Sequence, residues 1–336
     1  MGSHEVIPLS GLDTSPVPSG AAPGQGARNS IDLARHLEEI GFHRYWVAEH
    51  HNAGALGSAA PEIMIAAIAA ATRRIRVGSG GVMLPNHSPL KVAEVFRLLA
   101  ALHPSRIDLG VGRAAGTDNQ TALALRQAKE LLGAEQFPDQ LDALLAYLAH
   151  EPDPAVAFGP IKAVPIGIVP PPVFVLGTGT DSAELAGRLG LGFAFNHAFS
   201  PEGTGYADAL RAYRDAFVGT APHAILAVSV ICAADASAAE ELGRAGDLGS
   251  LRFGQGLRDL PFPSVAEARA YTFDADEERL RSGTQASRIA GEPSRVRDRL
   301  LEMIALSGAD ELIVTTGIHD HEERKRSFDR LVAILA

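Results

Sequence analysis

Short runs of β-branched and other apolar residues recur along the chain, each ending near glycine, asparagine or histidine and followed by a longer segment with helical spacing. Such runs read as parallel strands buried between helices. The pattern predicts strands at Glu5–Ser10, Tyr45–Ala48, Ile75–Ser79, Ile107–Val111, Val173–Leu176, Gly192–Asn196, Ile225–Cys232 and Glu311–Thr315. It predicts helices at Ser30–Ile40, Pro61–Ala71, Leu90–Leu102, Gln120–Leu132, Ser182–Leu189, Tyr206–Phe217, Ser294–Leu306 and His319–Leu335. Pro61, Pro89 and Pro293 fit helix starts, where a missing N–H costs nothing. Eight strands in strict alternation with helices predict an α/β fold, a (β/α)8 TIM barrel, as one domain over residues 1–336. An open doubly wound sheet makes the same local pattern but gathers its chemistry at one switch point. Here the polar and glycine-rich stretches follow many different strands, which favours the closed barrel. Two stretches break the rhythm. His150–Pro172 holds seven prolines and reads as an extended insertion before strand five. Gly246–Gly291, after strand seven, has loose periodicity and reads as an insertion that could form an active-site lid.

Charge narrows the function. Over 336 residues, 30 Lys and Arg stand against 40 Asp and Glu, a net charge of −10, which argues against a nucleic-acid or anionic-membrane surface. No apolar run approaches the roughly 20 residues that span a bilayer. The start, Met1-Gly2-Ser3-His4-Glu5, lacks a basic-then-apolar signal, so a cytoplasmic protein is expected. The single cysteine, Cys232, excludes an internal disulfide and reads as an inert core residue.

Barrels place their chemistry at the carboxyl ends of the strands. After strand two comes Glu49-His50-His51-Asn52. Adjacent histidines on an extended chain point to opposite faces, so one can face the barrel mouth and the other the wall. That arrangement serves either a reaction or a hydrogen-bonded strand terminus, and it is poorly spaced for chelation. After strand three, Gly80-Gly81-Val82-Met83 puts bare backbone at the end of a buried strand. Either a flat ligand lies against it or the strand bulges there. After strand four comes Gly110-Val111-Gly112-Arg113, and after strand five Gly177-Thr178-Gly179-Thr180-Asp181-Ser182. Neither makes a dinucleotide site, because the acidic residue expected about 20 positions on is missing except for Glu130, inside a predicted helix. As neighbours in a barrel the two loops deliver N–H groups, hydroxyls and Arg113 to one spot, a phosphate monoester site, unless both are simply tight turns. Asp181 must then point away.

Together with Ser10-Gly11-Leu12-Asp13, Arg44–Asn52, Ile75–Leu90, Arg106–Arg113, Leu176–Thr178, Gly190–Phe195, Gly291-Glu292-Pro293 and Asp310-Glu311-Leu312, these motifs resemble the bacterial luciferase-like flavin monooxygenases, in their single-subunit branch. The resemblance spans nearly the whole chain. It implies FMN at the mouth, reduced and reacting with O2 through a C4a-hydroperoxide, to oxygenate a small hydrophobic substrate such as an intermediate in natural-product tailoring. It implies that His50 is the active-site histidine, with Glu49 and His51 orienting it. The family's non-proline cis peptide falls at Gly80-Gly81, beside Val82. Arg113, Gly177, Thr178, Gly179 and Ser182 match the phosphate loops. Substrate is expected between Met83, Asn196, His197 and the lid. The family's reactive cysteine is replaced by Gly112, which sets aldehyde-type chemistry in doubt. A separate NAD(P)H:flavin reductase is expected, as is a homodimer through Pro61–Ala71 and Leu90–Leu102. Three alternatives stand: an F420-dependent hydride-transfer enzyme of the same superfamily, a flavin-binding protein without turnover, and a metal-dependent barrel hydrolase on His50, His51 and His87. The last lacks the spacing a metal site needs, and no metal is expected.

Overall fold

Alternation along each strand sorts the chain into an inside and an outside. The computed structural model describes residues 7–126, 136–149, 161–200 and 204–335. Strands β1 (Leu9–Asp13), β2 (Arg44–Val47), β3 (Arg76–Met83), β4 (Ile107–Gly112), β5 (Val173–Gly177), β6 (Gly192–Asn196) and β7 (Ala224–Cys232) pair in parallel, each with the next. The last strand, β9 (Glu311–Thr315), pairs with both β7 and β1 and closes the ring. The fold is the expected (β/α)8 TIM barrel.

Helices α1 (Gln25–Glu39), α2 (Pro61–Ala71), α3 (Pro89–Leu102), α4 (Asn119–Arg126), α5 (Phe137–Ala149), α6 (Thr180–Arg188) and α7 (Tyr206–Ala216) lie between the strands in sequence. Helices α8 (Ala236–Gly254), α9 (Val265–Ala270), α10 (Ala275–Ala286), α11 (Pro293–Ser307) and α12 (His321–Leu335) complete the chain. The outward residues of the strands pack beneath helices: Tyr45 and Val47 of β2, Leu109 and Val111 of β4, and Leu312 and Val314 of β9 share one core with Leu33, Ile65 and Leu300.

Several boundaries differ from the sequence pattern. The first strand runs to Asp13, because Gly11, Leu12 and Asp13 continue the ladder with Tyr45, Trp46 and Val47; Glu5 lies outside the described residues. Within the proline-rich insertion, residues 161–172 form neither helix nor strand. Residues 150–160 lie outside the described residues, as do Glu130 and the end of the predicted Gln120–Leu132 helix. The stretch Gly246–Gly291 is not loosely ordered. It holds the end of α8, the whole of α9 and α10, and a strand β8 (Arg288–Gly291) paired with Ser229–Cys232 at the carboxyl end of β7. Its backbone bonds to the loop after β1 at Val17 and Ser19 and to the loop after β2 at Gly54.

The inward residues fill the barrel in layers. At its amino-terminal end the Arg44 guanidinium donates two bonds to Glu311, at 2.7 and 2.9 Å, and one to Asp108 at 2.8 Å. Above it Trp46, Phe174, Ile225 and Ile313 form an apolar layer, with Arg44 lying 5.1 Å from the Phe174 ring centre. Burial alone would raise the carboxyl pKa of Glu311, but bonds from His223 and the charge of Arg44 pull it down to about 2. Removing the guanidinium takes three charge-assisted bonds from two fully buried carboxylates, leaving Glu311 with Ser10 and His223 and Asp108 with Arg76 and Trp46. Arg44→Met is therefore expected to lower unfolding free energy by about 3–5 kcal/mol, measured in urea. A loss below about 1 kcal/mol would show that the network is not needed.

Candidate active site

With its base filled, the barrel is open at the carboxyl ends of its strands. A cavity of about 360 Å³ lies there. Its walls come from the ends of seven strands: Leu12 and Thr14 after β1, Ala48 and His50 after β2, Gly80, Gly81 and Met83 on β3, Gly112 and Arg113 after β4, Leu176 to Gly179 with Asp181 and Ser182 after β5, Asn196, Ala198 and Phe199 after β6, and Thr315 on β9. The two glycine-rich loop tips thus meet beside the bare strand and the histidine.

The Gly80–Gly81 peptide is cis. Packing also demands glycine at both positions. A Cβ on Gly80 would stand 2.6 Å from Leu12 Cδ1 and 3.0 Å from Trp46 Cβ, and one on Gly81 would stand 2.8 Å from the Gly110 carbonyl. The ladder between β3 and β4 shifts register between Ser79 and Val82. Both readings of this segment therefore meet: the strand is irregular, and it presents main chain to the cavity. The Val82 side chain turns into the outer core, and Val82 is not among the residues lining the cavity.

His50 lines the cavity, and its Nδ1 is buried with no hydrogen-bond partner among the described residues. Burial holds the imidazole pKa below its ordinary value of 6.5, against the pull of Glu49, so the ring is neutral at physiological pH. Glu49 and His51 do not line the cavity. Instead, the fully buried Glu49 carboxylate ties three groups together: Oε1 accepts from His51 Nε2 at 2.7 Å and His87 Nε2 at 2.8 Å, and Oε2 accepts from the Met83 N–H at 2.9 Å. It staples the loop after β2 to the loop after β3, on either side of the reactive face. His87 is the partner that sequence reasoning weighed only as a metal ligand. His51 and His87 face Glu49 while His50 faces the cavity, so the three histidines form no common cluster. Burial would raise the Glu49 pKa, but the two imidazole bonds, the charge on His87 and the Met83 amide lower it to about 2. Burial lowers the His87 pKa, and Glu49 more than restores it, leaving it raised.

Arg113 is exposed at the cavity and makes no ion pair or hydrogen bond among the described residues. Gly177 is required by Ser182, whose Cβ lies 2.5 Å from where a Gly177 Cβ would stand, and this brings the Ser182 hydroxyl to the loop. Gly179 caps α6, and nothing lies within 4 Å of its missing side chain. These groups fit a phosphate monoester at a helix amino terminus. Asp181 also lines the cavity, so the expectation that it points away fails; it sits in the first turn of α6, where the helix dipole favours a carboxylate. Of the residues expected around substrate, Met83 and Asn196 line the cavity. His197 does not: it is buried on the far side of the turn His197–Phe199, its ring edge-on to Tyr206 at 5.6 Å. Sequence reasoning missed Leu12, Thr14, Phe199 and Thr315, whose membership depends on barrel closure. Among the described residues, none between Ser200 and Gly291 lines the mouth.

The family model for luciferase-like monooxygenases matches residues 10–323. The chain belongs to this family. A luciferase-like monooxygenase of Escherichia coli (strain K12) is 36% identical over 97% of this chain and 96% of its own. The crystal structure of apo-MsnO8 is 39% identical and superimposes with a TM-score of 0.85, covering 98% of both chains. More distant structures share the fold alone. They include a Baeyer–Villiger monooxygenase component from Pseudomonas putida in complex with FMN, 18% identical with a TM-score of 0.73 over 98% of each chain. An F420-dependent secondary alcohol dehydrogenase is 14% identical with a TM-score of 0.68, covering 99% of this chain and all of that one. This luciferase-like protein is an enzyme of the flavin-type monooxygenase class.

Two outcomes test the site's construction. Gly81→Ala must displace the Gly110 backbone and is expected to cost about 2 kcal/mol or more, whereas Gly112→Ala meets only Met83 Sδ, at an ordinary 3.4 Å, and should stay within about 0.5 kcal/mol of the parent in urea melts. Glu49 is stabilising while ionised; that contribution is full above its ordinary value of 4.5 and is lost as pH falls toward about 2. Glu49→Gln is therefore expected to flatten the fall of melting temperature across that acid window. An unchanged slope would show that the carboxylate is not held as described.

Proposed function

We propose that this enzyme binds reduced FMN in the mouth cavity and uses it with O2 to oxygenate a small apolar organic molecule. The observation that carries the reading is the meeting of four features at one cavity: the Gly80–Gly81 main chain, the neutral His50, and the two loop tips bearing Arg113 and Ser182. Reduced FMN bound there supplies the electrons for oxygen activation. Arg113, the Thr178 and Ser182 hydroxyls and the first-turn amides of α6 hold the phosphate. Gly80, Gly81 and Gly112 leave a flat wall for the ring system. One unpaired cation facing one carboxylate, Asp181, suits a single phosphate better than the long anionic tail of a deazaflavin.

His50 is the catalytic residue. Its imidazole, neutral and shielded, takes up or returns a proton at the reacting centre without drawing in water. Glu49, His51 and His87 are positioning residues that fix the backbone around it. Leu12, Ala48, Met83, Leu176 and Phe199 give the cavity its apolar character, which favours an apolar substrate and keeps water out. A separate NAD(P)H:flavin reductase delivers the reduced cofactor, since neither loop has a dinucleotide acid. The chain works as a cytoplasmic homodimer: α2 and α3 expose Ile63 (67%), Leu98 (52%) and Leu102 (62%), apolar surface that a second copy covers. Among the described residues no helix is long and apolar enough to cross a membrane.

Arg113→Ala is expected to weaken FMN binding roughly ten- to hundredfold while leaving riboflavin binding unchanged, read by quenching of flavin fluorescence. An equal loss for riboflavin would remove Arg113 from the phosphate. Asp181→Asn should tighten FMN a few-fold. His50→Ala is expected to keep FMN affinity but release hydrogen peroxide in place of oxygenated product; undiminished product would end its catalytic assignment.

A further inference from the structure

A second cavity, of about 520 Å³, lies outside the barrel ring between the start of α8, the end of α10, β8 and α11. It backs onto the mouth across one turn: Asn196, Ala198 and Phe199 face the mouth, and His197 between them lines this second space. Its lining divides by chemistry. Ala236, Ala239, Ala286 and Ile289 form an apolar side, and Arg288, Arg295 and Arg299 a basic one.

The three arginines are not equivalent. Arg288 is about nine-tenths buried and paired at 2.8 Å with Asp247, a carboxylate that also takes Arg281, whose second partner is Glu278. Arg299 is paired with Glu302 at 2.6 Å. Arg295 has no ion pair or hydrogen bond among the described residues, and its stem lies over Gly291: a Cβ there would stand 2.9 Å from Arg295 Cδ. The missing side chain lets the stem fold back over the end of β8, against the cavity. The lining also holds one acid, Glu240, which makes no ion pair among the described residues. In this cavity's lining, one guanidinium without an ion pair stands beside two paired ones and one carboxylate, while Glu292, Asp298 and Glu302 line the adjoining groove with Arg295 and Arg299; this balance suits an anion of one charge and disfavours a polyanion. The apolar side suits a hydrocarbon body.

We infer that this cavity is a binding site for a small apolar monocarboxylate, its carboxylate at Arg295 and its body against the alanines of α8 and α10. The site is distinct from the mouth and does not depend on the flavin reading, so it is tested on flavin-free protein. Because Arg113 offers a competing cation at the mouth, the titration uses Arg113→Ala protein, with hexanoate as probe and hexan-1-ol as its uncharged counterpart, followed by calorimetry. Hexanoate is expected to bind at one site and at least about tenfold more tightly than hexan-1-ol, and adding Arg295→Ala should abolish that preference. Arg295 is exposed and forms no ion pair among the described residues, so its removal leaves the fold intact, which a melting curve confirms. The inference fails if hexanoate does not bind Arg113→Ala protein at up to about 10 mM, if hexan-1-ol binds equally, or if Arg295→Ala changes nothing.

Discussion

At the amino-terminal end of the barrel one guanidinium is held by two carboxylates from opposite walls, and this decides which end of the molecule can hold a ligand. Arg44 spans from β2 to Glu311 on β9 and Asp108 on β4, and Arg76 and Trp46 also donate to Asp108. A charged layer in a barrel interior is tolerable only when every lone pair is used, and here nearly all are. With the base occupied and Trp46 and Phe174 stacked above it, the first unfilled inward layer is the one bearing Leu12, Ala48, Leu176, Asn196 and Thr315. The mouth cavity is what remains when the interior is filled from below.

The same economy operates around Glu49. A buried carboxylate is costly unless fully bonded, and this one takes two imidazoles and an amide. Those bonds come from the loop after β2 and from the end of β3 with the loop that follows it, so the carboxylate ties two strand ends into one rim. His50, flanked by Glu49 and His51 and anchored by its own amide to the Ser58 carbonyl at 2.9 Å, has little freedom beyond its side-chain torsions. The backbone of His50 is thus fixed while its Nδ1 has no partner among the described residues, and under the proposed function this leaves the ring available to move a proton at the mouth.

Most of the barrel was legible because buried parallel strands write themselves as β-branched runs, and seven of the eight predicted strands fall within a few residues of the observed ones. The region after β7 was misread for the opposite reason. Alanine, glycine and arginine dominate α8 to α10, so hydrophobic periodicity is faint. Yet Ser264 with Glu267 and Asp274 with Glu277 form capping boxes that mark two helix starts on their spacing alone. Helix α5 carried a readable stripe in Leu141, Leu144 and Leu148 that the proline-rich stretch after it obscured. The motifs at the strand ends were legible residue by residue. What no local pattern could supply was direction: His197 and Asn196 are adjacent and equally polar, and only the turn after β6 sends one into the mouth and the other behind it.

Direction also governs the electrostatics of the mouth. Arg113 and Asp181 reach the same cavity from adjacent loops without pairing with each other among the described residues, so each keeps its charge available to a ligand. If they were bridged, the loop tips would be self-satisfied and an incoming anion would have to break an ion pair to bind. Held apart, the cation attracts and the carboxylate sets a ceiling on the negative charge that gains by entering. The first-turn amides of α6 add a positive field, which Asp181, itself in that turn, offsets in part. Under the proposed function, a dianionic phosphate monoester would gain from Arg113 and the helix and lose only in part to Asp181, while a tail of several carboxylates would meet that acid with no second unpaired cation among the described residues lining the mouth. Under that function, selectivity among flavin-like cofactors at this mouth would reside less in the shape of the cavity than in the balance between one arginine and one aspartate.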